Sequence, residues 1–116
     1  MCRRKIIPVL KKKFSNVKFS ICSRSQKKKN IGAYDWFRDY KVALKKSKTD
    51  VVYISLINSL HYYWAKKFLE NNYHVIIDKP ATINFKQAKD LVKLARSKRR
   101  LLSEAVVFNY HHQISK

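Results

Sequence analysis

Asp50–Pro80 reads DVVYISLINSLHYYWAKKFLENNYHVIIDKP. The opening segment, Asp50–Ile57, is a near-continuous apolar run of strand length, as expected of a strand covered on both faces. Asn58-Ser59 can cap a following helix, Leu60–Asn71. Leu60, Tyr63, Trp64 and Phe68 recur there at spacings of three and four and give the helix one apolar face. Asn71-Asn72 ends it, and His74–Ile77 reads as a second buried strand. Asp78, Lys79 and Pro80 then stand where that strand stops. In an open parallel sheet, ligands bind beyond the carboxyl ends of the strands.

The flanks continue the alternation of helix and strand. Residues 1–13 read as a short basic helix with Ile6, Ile7, Val9 and Leu10 on its apolar side, complicated by Pro8. Val17–Cys22 reads as a buried strand, Ser23–Asn30 as a polar loop and Asp39–Lys48 as a short helix capped by Asp39. Ala33–Phe37 is ambiguous. Downstream, Asn84 with Gln87 three residues on resembles a capping box, and Phe85, Ala88, Leu91, Val92 and Ala95 form the buried stripe of a helix over 84–97. Leu101–Phe108 is the last expected strand, interrupted by Glu104. Such alternation predicts a single α/β domain with a parallel sheet and right-handed crossovers.

Composition narrows the function. The chain has 116 residues, 46% of them hydrophobic, enough for one domain with a small core. No apolar run approaches the roughly 18 residues of a membrane span, and the basic start lacks the apolar region of a signal peptide. A cytoplasmic protein is expected, with Cys2 and Cys22 reduced. Lys and Arg number 27 against 7 acids, a net charge of +20, which attracts phosphate-bearing partners. The lysines are dispersed over every segment rather than gathered on one face, so general compositional bias is the preferred explanation. A small basic nucleic-acid-binding protein, acting through non-specific charge, is the alternative.

Four groups of residues could carry chemistry. Lys79, fixed by Pro80 and tuned by Asp78, could hold a phosphate or ribose or act on a reacting hydroxyl as an acid–base group. Spacing alone leaves a solvated loop lysine equally open. Asn58 and His61 flank a turn whose free N–H groups suit an anion, with a helix cap and a surface histidine as the plainer reading. Ser23 and Arg24 follow the first strand. In dinucleotide folds an acid after the second strand holds the ribose hydroxyls and an arginine suits a 2′-phosphate. The adjacent His111 and His112 have no Cys, Asp or Glu near them in sequence, so no metal site is expected. With Gly32 as its single glycine, the chain contains no GxGxxG, P-loop or nucleophile elbow.

The same stretch resembles the nucleotide-binding domain of the glucose-fructose oxidoreductase / inositol dehydrogenase (Gfo/Idh/MocA) family. That family shows a buried strand, T-P-N-x-x-H, a helix and a strand ending in E-K-P. Asn58 and His61 match the N-x-x-H, and Lys79 and Pro80 match the K-P. Ile57 replaces the proline, and Asp78 replaces the glutamate. EAVVFNYHHQ is similar to the family's E-A-x-x-x-R-x-H-P-Q, with Asn109 in the arginine position and His112 in the proline position. Upstream, IIPVLKKKFSNVKFSICSRS looks like the end of the first helix and the second strand.

The resemblance implies a Rossmann-like, doubly wound parallel sheet and NAD(P)-dependent hydride transfer on a sugar or cyclitol CH–OH group. Lys79 would lie near nicotinamide and substrate, Asn58 and His61 would line the cofactor cleft, with Asp78 and Pro80 beside them. Ser23 and Arg24 would meet the adenosine ribose, and the arginine without an acid leans toward NADP over NAD. The family's first strand and glycine-rich turn have no counterpart here, nor has its second, substrate-binding domain. The chain is therefore expected to be one incomplete nucleotide-binding domain, residues 1–116, inactive alone and marginally stable.

Overall fold

A computed structural model of the chain describes residues 2–25 and 32–106. They form four helices and five strands, in two compact units, Met1–Thr49 and Asp50–Lys116.

The first unit opens with α1 (Cys2–Lys13), which contains Pro8 and buries Ile7. Strand β1 (Ile21–Cys22) runs parallel to β2 (Trp36–Phe37). The ladder is short. Tyr34 N donates to Phe19 O, Ile21 N to Asp35 O and Ser23 N to Phe37 O, at 2.8–3.0 Å. The strand expected over Val17–Cys22 is therefore confined to its last two residues, since the segment beside it begins to pair only at Tyr34. The ambiguous segment Ala33–Phe37 supplies that partner. Helix α2 (Tyr40–Lys46) starts where expected, and the Asp39 carboxylate accepts from Lys41 N at 2.6 Å and Val42 N at 3.3 Å. These two bonds satisfy backbone donors that the first helical turn leaves free.

In the second unit, β3 (Val51–Ile54), β4 (His74–Asp78) and β5 (Leu102–Ala105) make an all-parallel sheet in that order. Val51 lies opposite His74 and Ile54 opposite Ile77, while Ile77 lies opposite Glu104 and Asp78 opposite Ala105. Central β4 buries Val75 and Ile77 completely. Strand β3 stops at Ile54, three residues short of the expected end, and Val51 is 48% exposed. Being the outer strand of its sheet, it is less covered than an apolar run alone implies. Val107 and Phe108, the expected end of the last strand, lie outside the described residues.

Helices α3 (Asn58–Glu70) and α4 (Phe85–Lys98) complete the unit. The buried face of α3 is His61, Trp64, Ala65, Phe68 and Leu69, a helical stripe one residue out of phase with the expected start at Leu60. Tyr63, expected on that face, is exposed. Its N-cap is Ile57, and no side chain caps it, so Asn58 and Ser59 do not act as caps. Helix α4 has the expected cap, with Gln87 N donating to Asn84 Oδ1 at 3.0 Å. Leu91 and Ala95 form its buried stripe, whereas Phe85 and Val92 are exposed.

The four segments expected to share one sheet thus lie in two parallel ladders. In the strand order 3-2-1-4-5-6, the first strand separates the second from the fourth. The two ladders are a two-stranded one, β1–β2, in the first unit and a three-stranded one, β3–β4–β5, in the second.

Candidate functional site

All three strands of the second unit point the same way, so their carboxyl ends share one edge. Strand β4 ends on Asp78, the loop beyond it carries Lys79 and Pro80, and the Lys79–Pro80 peptide is cis. Three side chains from three elements hold this loop. Tyr53 of β3 donates its hydroxyl to Asp78 Oδ1. Glu104 of β5 accepts from Ala81 N at 2.8 Å. His61 of α3 places Nδ1 2.8 Å from Pro80 O. Lys79 itself is exposed. The result is an exposed cation on a tethered backbone, at the place where a parallel sheet presents ligands.

His61 is the buried polar residue of the described core, 1% exposed. Its second nitrogen, Nε2, lies 3.0 Å from Leu56 O in the loop after β3. Both ring nitrogens are therefore occupied by backbone. Asn58 is exposed one residue past the N-cap Ile57. Leu60 N donates to Ile57 O at 2.9 Å, and with no side-chain cap on α3 the N–H groups of Asn58 and Ser59 are left to meet an acceptor.

In the first unit, Ser23 is half-buried and its N–H is spent on Phe37 O. Arg24 is exposed, with its guanidinium 5.2 Å from the centre of the Tyr40 ring, a cation–π contact. Burial, then the Asp39 charge, push the Cys22 thiol up to about 11, so it is inert at neutral pH.

Sequence reasoning singled out Asn58, His61, Asp78, Lys79 and Pro80, and the fold brings all five to the second unit's carboxyl edge. It missed Tyr53 and Glu104. Their signal was register: Tyr53 sits opposite Ile76, two residues before Asp78, within diagonal reach across neighbouring strands. Glu104 was visible as the one acid interrupting an apolar strand. Among the described residues no group of three or more His, Cys, Asp or Glu could hold a metal ion. No described helix is long and apolar enough to cross a membrane.

The chain matches, over residues 5–106, the oxidoreductase family GFO_IDH_MocA with an NAD-binding Rossmann fold. A dTDP-3,4-didehydro-2,6-dideoxy-alpha-D-glucose 3-reductase of Saccharopolyspora spinosa is 38% identical over 72 residues, 62% of this chain and 22% of that protein. A mutant of KijD10, a 3-ketoreductase from Actinomadura kijaniata in complex with TDP-benzene and NADP, superposes with a TM-score of 0.72 at 29% identity. That match covers 82% of this chain and 30% of the other. The WlbA dehydrogenase of Chromobacterium violaceum, in complex with NADH and UDP-GlcNAcA, shares the fold with a TM-score of 0.85 at 15% identity, over 98% of this chain and 34% of its own. This chain thus spans between 22% and 34% of these proteins. The comparisons lend no support to nucleic-acid binding.

Proposed function

The chain belongs to the GFO_IDH_MocA oxidoreductase family with its NAD-binding Rossmann fold, and from that premise we propose that it is the dinucleotide-binding part of an oxidoreductase acting on a sugar-like CH–OH group. The observation that carries this reading is the tethering of the Lys79 loop. Bonds from β3, α3 and β5 fix the backbone on either side of an exposed lysine at the carboxyl edge. A lysine so placed suits a hydrogen bond to a reacting hydroxyl, with proton transfer as its chemistry. The dTDP-sugar 3-reductase named above, 38% identical over the matched residues, supports the substrate class.

The residues present fit a dinucleotide. The uncapped start of α3 offers N–H groups to a phosphate, and Lys79 and Asn58 are exposed beside it. Arg24 offers a cation for a 2′-phosphate. When bound, the dinucleotide supplies or accepts the hydride. As the family resemblance implies, Asn58 and Lys79 would hold its nicotinamide half, and Ser23 and Arg24 would suit its adenosine ribose. Asp78 orients the loop through Tyr53. With one glycine in 116 residues, the chain carries no glycine-rich pyrophosphate cradle, so binding rather than turnover is the measurable activity of this chain. We place this reaction in the cytoplasm.

Cofactor choice tests the assignment. Titration calorimetry of the chain with NADPH and NADH should favour NADPH. Arg24→Asp should weaken NADPH by about tenfold, the size of one charge-assisted hydrogen bond, and NADH far less. Equal loss for both cofactors would contradict the role given to Arg24.

A further inference from the structure

Helix α4 turns a mixed face to solvent. Phe85, Lys89, Val92 and Arg96 follow at spacings of four, three and four, which sets them in one line along the helix. All are exposed, Phe85 at 81% and Val92 at 42%. Lys86 and Lys93 flank the line and are exposed too. Ile83, 63% exposed, stands in the turn just before the Asn84 cap. The acid of this helix, Asp90, is turned to α3, where Tyr62 and Lys66 hold it. The outward line therefore sets apolar side chains among cations, with no carboxylate of α4 on it. Val51, Tyr63 and Leu101 are exposed apolar residues of the same unit, but each stands on a different segment.

Such a face suits a surface that is anionic and apolar at once. A protein interface is depleted in lysine and gathers its apolar groups at a dry centre, whereas here lysines alternate with them. A nucleic-acid duplex answers the cations with phosphate but offers its backbone, not hydrocarbon, to Ile83 and Phe85. A bilayer carrying acidic lipid offers phosphate at headgroup depth and hydrocarbon immediately below. Lysine stems lie along apolar surface and keep their ammonium groups in the polar layer.

We propose that the outward face of α4 docks on an anionic lipid surface. Ile83 and Phe85 enter the headgroup boundary, and Lys86, Lys89, Lys93 and Arg96 meet lipid phosphate. The net charge of +20 draws the whole chain toward any such surface. The α4 face adds apolar contact to that attraction, and so fixes which side of the second unit touches down. This goes beyond the cofactor reading and needs nothing from it.

Co-sedimentation of the chain with phosphatidylcholine vesicles, with and without phosphatidylserine, measures the docking. Binding should require phosphatidylserine. A cation at such a surface is worth about fivefold in partitioning, so Lys89→Gln with Arg96→Gln should weaken binding about 25-fold. The same charge removed from exposed positions of the first unit, in Lys45→Gln with Lys46→Gln, should weaken it far less, because the contact belongs to α4. Phe85→Ser leaves the charge unaltered and should weaken binding by about tenfold, the lower end of what burying a phenyl ring is worth. Phe85→Trp should bind as the native chain does, since indole suits the headgroup boundary. These side chains are exposed, so the substitutions leave the core intact. Equal losses for the two cation pairs would show that net charge alone drives binding, and would overturn the proposal. Native binding by Phe85→Ser, or no binding to phosphatidylserine vesicles, would overturn it as well. Oligothymidylate and polyglutamate serve as lipid-free polyanions in the same series. Binding to either with the same dependence on Phe85 and Lys89 would assign the face to a nucleic acid or an acidic protein instead.

Discussion

At the scale of single residues, hydrogen bonding sets the charge behaviour of the surface. Asp90 on α4 accepts from the Tyr62 hydroxyl at 2.6 Å and from Lys66 Nζ at 3.1 Å. The Tyr62 bond first, then the Lys66 bond, hold its carboxyl below the ordinary 3.8. Lys66 is held above its ordinary 10.5, by the Asp90 bond first and then by Tyr62. A depressed carboxyl stabilises the fold above its unfolded value, and that contribution fades as pH falls through the folded one. Asp90→Asn should therefore lower the melting temperature slightly at pH 6, and the gap should close well below 3.8. The effect is small because the pair is solvent-exposed. A gap unchanged down to pH 2 would show that the packing of Tyr62, not the charge, is what the mutation removed.

Elements show how far the sequence can be read and where it stops. Helix α4 was legible to its cap, because the Asn84–Gln87 spacing is local chemistry that no tertiary contact needs to complete. Asn84→Ala should accordingly cost about 1 kcal/mol in urea unfolding, with Gln87 N left unsatisfied. A change within error would mean that Gln87 Oε1, bonded to Ile83 N, caps the helix alone. Helix α3 was legible in extent but not in phase. Counting apolar residues put Leu60 and Tyr63 on the buried face, whereas the actual face opens on His61. A histidine scores as polar, yet here its two carbonyl partners lie inside the unit, so a polar residue begins the core stripe. The α3 cap failed for a related reason. Asn58 has a capping side chain, but the helix begins at Asn58 itself, and the N-cap position falls on Ile57. The length of each strand was the least legible quantity. Val17–Cys22 and Asp50–Ile57 are mostly apolar, but a strand extends only as far as its partner does, and the partner is set by the fold.

For the whole molecule, the family decides more than the composition. A charge of +20 directs attention to phosphate-rich partners, yet the matched residues 5–106 are those of an NAD-binding Rossmann fold. That Asn58, His61 and Lys79 share one edge was legible because each follows a strand, and a parallel sheet sends the ends of its strands to one edge. Tyr53 and Glu104 were not, since only register places them against Asp78 and Ala81. The most direct test of the central claim is amide chemical-shift mapping of the chain during NADPH titration. The account predicts weak, saturable shifts concentrated at Asn58, Lys79 and Ala81. Shifts gathered instead at the opposite edge of the sheet, around His74 and Leu101, or spread evenly over the lysine-bearing helix faces, would contradict it.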